Sequence, residues 1–267
     1  MPLDPCATTR HPAQEMRYTF LHLSDLHFRP HWHEECGLVC TKFFDDLAQQ
    51  LAHYENPYLL FSGDLVLAAG EKDQYAAFYS EFSNRLDDLG LSRARRICVP
   101  GNHDVSQEEV RLTQTLQLGL LSQIHDETHF NNELRAHAKT IFGGKFGRYS
   151  ESEAKFAQYS CCSEALGGQG WELEGGLGVY CLNTAVCSFG GVKDADGKAI
   201  SDKNRLMIDT RLLNQWLANS KTNGRILVMH HPLDWLAEWS RAELEKIIAA
   251  EFTAVFCGHV HEQDVTF

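Results

Sequence analysis

Six short apolar runs, separated by stretches with helical periodicity, constrain the fold of this 267-residue chain more than any other feature. The runs cover residues 18–24, 58–61, 96–99, 178–182, 225–229 and 253–257. Between them, apolar residues recur at helical spacing, as at Phe44, Leu47 and Leu51. Strands that alternate with helices predict an α/β domain with a largely buried sheet.

Five of these six runs end directly in residue types that bind metal ions. The donors at these ends are Asp25, His27, Asp64, Asn102, His230, His259 and His261. Because ligands of open α/β proteins bind at the carboxyl ends of the strands, we expect all the donors to meet at one rim. Carboxylate, amide and imidazole donors without thiolates suit manganese, iron or zinc, and together they are enough for two adjacent ions.

The turn from Pro100 to Asp104 joins one of these strands to a helix that we expect to begin near Ser106. Asn102 offers an oxygen ligand, which leaves His103 to act as a general acid for the leaving oxygen. Asp104 has two interpretations that stay open at this point. It either satisfies the backbone of the turn or orients His103.

Outside the strands, residues 1–17 are predicted to form a tail and residues 18–267 one domain. Residues 106–170 break the alternation and are predicted to form a helical insertion or cap, followed by a hairpin that returns to the sheet. Ser240 and Glu243 have the spacing of a capping box, which predicts the start of a helix.

The composition excludes some classes of protein. A formal charge of -12 disfavours a broad nucleic-acid-binding face. The chain has no apolar run of membrane-spanning length and no signal-peptide core, so we expect a cytoplasmic protein without a membrane segment. Its nine cysteines are expected to be reduced, and a zinc site at Cys36 and Cys40 is disfavoured because no second pair completes it.

The ordered motifs are Asp25-x-His27, Gly63-Asp64, Gly101-Asn102-His103-Asp104, His230 and Gly258-His259-x-His261. In this order they resemble the calcineurin-like metallophosphoesterase superfamily, whose fold is a four-layer β-sandwich flanked by helices. For the first metal ion the resemblance implies the ligands Asp25, His27 and His261. For the second it implies Asn102, His230 and His259, with Asp64 bridging the two ions. His103 matches the catalytic histidine.

The chain differs from the protein serine/threonine phosphatases of this superfamily, which carry further Asp and Arg residues after Gly-Asp and a Glu after Asn-His. Here Leu65 follows the first pair and Asp104 follows the second. With His22-Leu-Ser-Asp25-Leu-His27 and His230-His231-Pro232, the chain is more similar to the bacterial cyclic-nucleotide-phosphodiesterase-like branch. Membership of a branch does not fix the substrate.

We therefore expect a binuclear phosphoesterase that hydrolyses phosphodiester or nucleotide phosphate bonds through attack by a metal-bound hydroxide. The two ions are divalent or of mixed valence, with manganese favoured over iron or zinc. The predicted catalytic residues are His103, Asp64 and Asn102. One alternative is a metal-binding regulatory or scaffolding domain of a larger multidomain protein, and another is a phosphomonoesterase or protein phosphatase.

Residues near the motifs have two interpretations each. Arg29 and His31 either contact a substrate phosphate at the mouth of the site or lie on a solvated loop. Trp235 and Trp239 either stack on a nucleobase or pack against a neighbouring helix. For His231, which precedes Pro232, positioning of the backbone is favoured over coordination.

Overall fold

In the computed structural model, which describes residues 17–71, 73–161 and 166–260, eight strands form two four-stranded sheets. The side chains of Trp32, His33 and Glu35 are outside this description. The first sheet contains β1 (Thr19–Leu23), β2 (Pro57–Phe61), β3 (Arg96–Cys98) and β4 (Tyr159–Ser160), all parallel and in that order. The second contains β5 (Gly168–Glu172), β6 (Leu177–Leu182), β7 (Gly224–Val228) and β8 (Ala254–Phe256).

In the second sheet, β5 and β6 are antiparallel and the remaining pairs are parallel. The predicted hairpin after the insertion is therefore confirmed. All six apolar runs of the sequence also appear as strands, because each run offers apolar side chains to both faces of a sheet.

Alternation along the strands shows how the layers pack. On β2, Tyr58 and Leu60 pack between the two sheets with Val179 and Cys181 of β6. The intervening residues Leu59 and Phe61 face the helices on the other side of the first sheet. Since the second sheet is covered in the same way on its outer face, the molecule has four layers, as the predicted sandwich requires.

Eight helices connect the strands within the described part of the chain. They are α1 (Trp32–Leu51), α2 (Gln74–Phe78), α3 (Asn84–Asp88), α4 (Gln107–Leu121), α5 (Glu127–Ala136), α6 (Gly147–Phe156), α7 (Thr210–Asn219) and α8 (Glu238–Glu251). A π-helical turn, Tyr79–Ser83, joins α2 to α3, and short 3₁₀ turns occur at Arg93–Arg95, Gly144–Phe146 and Leu233–Trp235. A second π-helical turn is Ala138–Phe142. None of the helices described is long and apolar enough to cross a bilayer.

Helices α4, α5 and α6 occupy the region predicted as an insertion, which also contains β4 and the start of β5. The domain boundaries and the cytoplasmic location stay predictions. Residues 1–16 of the predicted tail lie outside the described residues.

The capping box predicted at Ser240 is wrong. Helix α8 begins two residues earlier, at Glu238, with Ala237 as its N-cap. Ser240 is therefore inside the first turn, where its buried hydroxyl accepts a hydrogen bond from the amide of Ile208 at 3.2 Å. The hydroxyl joins α8 to the segment before α7 and does not cap its own helix.

Candidate metal centre

The loops after β1 and β2 continue the parallel pairing of their strands. The amide of Asp25 donates to the Gly63 carbonyl, and that of His27 donates to the Asp64 carbonyl, both at 3.1 Å. A third bond, from Phe28 to Leu65, extends the ladder. The side chains of the two loops are therefore held at the same edge of the sheet, as the rule for strand ends predicts.

Several of the predicted ligands have a backbone conformation that is unusual for residues other than glycine. Asp25, His27, Asp64 and His259 have φ values of 56°, 47°, 56° and 76°. Each left-handed residue costs about 1 kcal/mol or more, so it persists only where the surrounding contacts enforce it. Strain of this kind gathers at functional sites.

Glycines precede three of the predicted ligands, and each makes room for the cluster. A Cβ atom on Gly63 would collide with the ring of His230. One on Gly101 would collide with the Asp64 carboxylate, and one on Gly258 with the hydroxyl of Ser24. The Gly-Asp, Gly-Asn and Gly-His pairs of the motifs thus have a steric cause, which is the close approach of neighbouring turns.

Asp64 lies at the centre of the site and is 1% exposed. Its Oδ1 accepts a hydrogen bond from the amide of His103 at 2.8 Å, and its Oδ2 is 3.4 Å from His230 Nε2 and 3.9 Å from His27 Nε2. Burial opposes ionisation, but the charge and the hydrogen bond of His230 outweigh it and lower the pKa of Asp64 well below its usual range.

The Nε2 atom of His230 faces polar atoms of several other residues. The carbonyl of Ser62 lies 2.8 Å from Nδ1 and can only accept, so Nδ1 carries a hydrogen. Around Nε2 lie Asn102 Oδ1 and His259 Nδ1, both at 3.1 Å. Burial opposes protonation, yet the Asp64 carboxylate raises the pKa of His230 to about 9. This point of the molecule therefore favours positive charge, whether a proton or a metal ion carries it.

Asp25 ties the two sheets together at the rim. Its Oδ2 accepts hydrogen bonds from the amide of His259 at 2.9 Å and from the hydroxyl of Ser24 at 2.5 Å. The turn after β8 is thus fixed to the turn after β1, although the two are far apart in sequence. This bond brings the last described motif residue to the first.

We call the predicted ligands in the described residues the Asp64 cluster. It consists of Asp25, His27, Asp64, Asn102, His230 and His259. Asp25, Asp64 and His230 form a group whose ligand atoms lie within 4.8 Å of one another. His27 and Asp64 form a second such group with His103, and His230 and His259 form a third with His231. The mixture of nitrogen and oxygen donors fits manganese, iron or zinc. His261, the seventh predicted ligand, lies outside the described residues.

His103 lies beside the cluster and is oriented by a backbone group. Its Nδ1 is 2.6 Å from the carbonyl oxygen of Leu67, so Nδ1 carries the hydrogen and Nε2 is left to exchange a proton. The ring packs edge-on against that of His27, with 4.5 Å between the centroids. The sequence gives no sign of this partner, because a backbone carbonyl is available at every residue.

The structure favours the turn interpretation of Asp104. Its Oδ2 accepts from the amides of Gly101 at 2.9 Å and Leu65 at 3.3 Å, and its Oδ1 accepts from the Tyr75 hydroxyl at 3.0 Å. Burial and the neighbouring Asp64 raise the pKa of Asp104 to about 6. The carboxyl fastens the loops after β2 and β3 to each other, and it positions the turn that carries His103 through the backbone.

His231 is a second buried histidine next to the cluster, and the sequence predicted only part of its surroundings. Its amide donates to the hydroxyl of Thr184 at 3.0 Å, and its Nδ1 lies 3.0 Å from the same oxygen. Its Nε2 has no hydrogen-bond partner among the described residues. His231 also forms a potential ligand group with His230 and His259. An orphaned buried nitrogen at this position is a further sign that the site accommodates a group beyond the protein itself.

Two predicted substrate contacts are not brought into the cluster. Arg29 is exposed, and His31 is an exposed residue whose Nδ1 lies 3.3 Å from Glu34. Cys36 and Cys40 are free thiols, and the potential ligand groups of the described residues contain no cysteine.

A family model for the calcineurin-like phosphoesterases matches residues 18–263. The uncharacterised metallophosphoesterase-like protein YydB of Bacillus subtilis strain 168 is 24% identical over 258 residues, covering 92% of this chain and 49% of that protein. A Staphylococcus aureus crystal structure, described as a candidate 5′-nucleotidase in complex with α-ketoglutarate, is 14% identical with a TM-score of 0.44 and covers 94% of this chain and 46% of its own. The chain spans about half the length of each relative. It belongs to the calcineurin-like phosphoesterase family.

Proposed function

We propose that this chain is a metal-dependent phosphoesterase that prefers phosphodiesters, including nucleotides, and works with two ions, manganese being the favoured metal. The observation that carries the proposal is the convergence of the Asp64 carboxylate, the Asn102 amide oxygen and a ring nitrogen of His259 on Nε2 of His230. Oxygen atoms that face one another in a buried site repel unless a positive charge lies among them.

The residues divide between two ion positions. Asp25, His27 and His261 would hold one ion, and Asn102, His230 and His259 the other, with Asp64 shared. Bound divalent ions would supply Lewis acidity at the phosphoryl oxygens and lower the pKa of an attacking water. Hydrogen bonds already orient two of these residues, because the Ser62 carbonyl fixes the tautomer of His230 and the amide of His259 is anchored to Asp25.

His103 would provide the proton that the leaving group needs. During hydrolysis an oxygen from water joins phosphorus, the bond from phosphorus to the leaving oxygen breaks, and His103 Nε2 gives its proton to that oxygen. The Leu67 carbonyl holds the ring by Nδ1 and stabilises the positive charge of the acid form before transfer. Asn102, beside His103, orients a side-chain oxygen toward His230 and would help to hold the second ion.

Two nitrophenyl esters test the proposal. With manganese added, we expect bis(p-nitrophenyl) phosphate to be hydrolysed faster than p-nitrophenyl phosphate. Asp64→Asn should lose most of the bound metal and most of the activity together, whereas Asp196→Asn, an exposed carboxylate outside the cluster, should lose neither. His103→Ala should keep the metal and lose about 100-fold or more in kcat on esters with poor leaving groups.

The competing proposal is a metal-binding regulatory or scaffolding domain. It predicts that metal binds and that neither ester is hydrolysed. A faster rate on the monoester would instead indicate a phosphomonoesterase. Full activity of His103→Ala on esters with poor leaving groups would remove the assigned role of His103.

A further inference from the structure

We propose that Trp235 forms a subsite for the organic group that stays on phosphorus when a phosphodiester is hydrolysed, and that this subsite selects a flat aromatic group. The inference rests on the proposed function, because it concerns the same site. It adds a specificity-determining residue at the end of the Asp64 cluster opposite the general acid.

Trp235 lies against the cluster. It belongs to the short 3₁₀ turn Leu233–Trp235, which follows His230 and His231 directly after β7. Its ring is perpendicular to that of His259, with 3.9 Å between centroids, and 5.9 Å from that of His231. His231 is fully buried beneath it, while Trp235 itself is partly exposed. The indole thus borders the Asp64 cluster on the side of His259.

The general acid contacts the other end of the cluster. The ring of His103 packs against His27, whereas that of Trp235 packs against His259. Between these ends the side chains follow as His27, Asp64, His230 and His259. A leaving oxygen must lie within reach of His103 Nε2, which assigns the leaving group to the His27 end.

The second organic group of a diester is then free to extend toward Trp235. A monoester has only the group that leaves, so it would gain nothing from an indole at the His259 end. An indole interacts best with another flat ring, by stacking or by edge-to-face contact, and gains little from a methyl group. The indole of Trp235 therefore favours an aryl group or a nucleobase as the retained substituent.

Two charged side chains lie beside the Trp235 indole. Lys203 lies with its ammonium 5.8 Å from the centre of the indole and 3.2 Å from the carboxylate of Asp234. Both charged side chains are about half exposed, at 52% and 53%. The ion pair joins the long β6–α7 connection to the turn that carries Trp235, and the ammonium also lies within cation–π distance of the indole.

Packing alone is the rival explanation, since Trp235 also borders the core of the second sheet. A tryptophan that only packs would affect all substrates alike when it is replaced. A subsite would affect only substrates whose retained group is aromatic. Two diesters with the same leaving group separate these explanations: bis(p-nitrophenyl) phosphate retains an aryl group, and methyl p-nitrophenyl phosphate retains a methyl group.

The experiment compares kcat/KM for the two diesters with manganese bound, in the wild-type chain and in variants. In Trp235→Ala we expect the ratio of aryl to methyl diester to fall by about 5-fold or more, chiefly through a higher KM for the aryl diester. Trp235→Leu keeps apolar volume without the ring and should show the same fall, so a poorly folded alanine variant does not decide the result. Trp235→Phe should retain most of the ratio.

Trp171→Ala is the matched control, because this partly buried tryptophan donates to the Ser160 carbonyl away from the cluster, and its ratio should equal that of the wild type. An unchanged ratio in both Trp235→Ala and Trp235→Leu, with turnover retained, overturns the subsite and leaves the phosphoesterase intact. No turnover of either diester by the metal-loaded wild type overturns the proposed function, and the subsite with it.

Discussion

Two of the regions that bury charged groups in the described part of the chain satisfy them differently. In the Asp64 cluster, Asn102 Oδ1 and His259 Nδ1 both lie 3.1 Å from Nε2 of His230. In the second region, which we call the Lys145 cluster (Lys145, Ser188 and Asp202), each charged group has a matched partner. Lys145 Nζ donates to the Ser188 carbonyl at 2.7 Å, and Asp202 accepts from the Ser188 hydroxyl at 2.5 Å.

This difference distinguishes the candidate metal centre from a purely structural contact. The Lys145 cluster joins the turn before α6 to the β6–α7 connection, and the protein itself supplies its hydrogen bonds, including one from the amide of Phe189 to Asp202 at 2.9 Å. In the Asp64 cluster, oxygen atoms of Asp64 and Asn102 converge on one nitrogen of His230, so this point favours a positive charge. Disturbing the Lys145 cluster should therefore cost stability, whereas disturbing the Asp64 cluster should first cost activity and bound metal.

The largest effect should come from Gly101→Ala, which attacks the Asp64 cluster without removing a ligand. The new methyl group would collide with the Asp64 carboxylate and lie 2.6 Å from its amide nitrogen, so the central carboxylate must move. Displacement by about 1 Å costs on the order of 100-fold in rate. We expect kcat/KM for bis(p-nitrophenyl) phosphate to fall by about that factor, with reduced manganese content.

Gly119→Ala is the control for this substitution. Gly119 lies exposed in α4, and a Cβ there meets no atom within 4 Å. Since alanine favours a helix over glycine by about 1 kcal/mol, this variant should be slightly more stable and fully active. Normal metal content and activity in Gly101→Ala would show that the cluster tolerates a displaced Asp64.

A smaller, pH-dependent effect should distinguish the Lys145 cluster. Lys145 is 2% exposed, and burial lowers its pKa from 10.5 to about 8, although Cys187 and Asp202 favour the charged form. Between these two pH values the unfolded chain holds a proton that the folded chain has released. The free energy of unfolding therefore gains a contribution from Lys145 that grows as the pH rises from about 8 to 10.5.

Lys145→Met abolishes this contribution. Relative to the variant, the wild type should gain up to about 3 kcal/mol between pH 7 and pH 10.5, measured by urea unfolding at several pH values. Comparing the two proteins cancels the titration of shared groups that do not interact with Lys145. We expect activity at neutral pH to change little, because the bond from the Ser106 amide reaches the backbone carbonyl of Lys145. A constant difference across this range would mean that the ammonium stays charged when folded.

The same contrast explains what the sequence could predict. The strands and the Asp64 cluster were predictable because each ligand follows an apolar run, and the glycines before Asp64, Asn102 and His259 are part of the pattern. Lys145 gave no such signal, since one lysine in a glycine-rich stretch is ordinarily a surface residue. Its burial depends on a carbonyl 43 residues away, which no local pattern encodes.

Backbone partners of side chains were the other gap. A backbone carbonyl, that of Leu67, orients His103, and backbone amides donate to Asp104. A motif cannot specify these partners, because every residue has a carbonyl and nearly every residue has an amide. The incorrect capping box at Ser240 has the same origin. A serine three residues before a glutamate fits the local rule, but the hydroxyl bonds to a distant amide because the segment before α7 passes beside α8.

The smallest of the predicted effects concerns Ser240. It tests whether a buried hydrogen bond outside the Asp64 cluster affects stability alone. Ser240→Ala leaves the buried amide of Ile208 without its acceptor, which should cost about 1–3 kcal/mol in urea unfolding without changing kcat/KM. Glu243→Ala removes only an exposed contact with Lys246, at 3.2 Å, and should cost under about 0.5 kcal/mol. A capping box would make the two losses similar, because serine and glutamate then satisfy the same helix end reciprocally. Unequal losses with unchanged activity would show that the Ser240 hydrogen bond, like those of the Lys145 cluster, contributes to stability alone. A loss of activity in Ser240→Ala would show that the contact between α8 and the segment before α7 also supports the site.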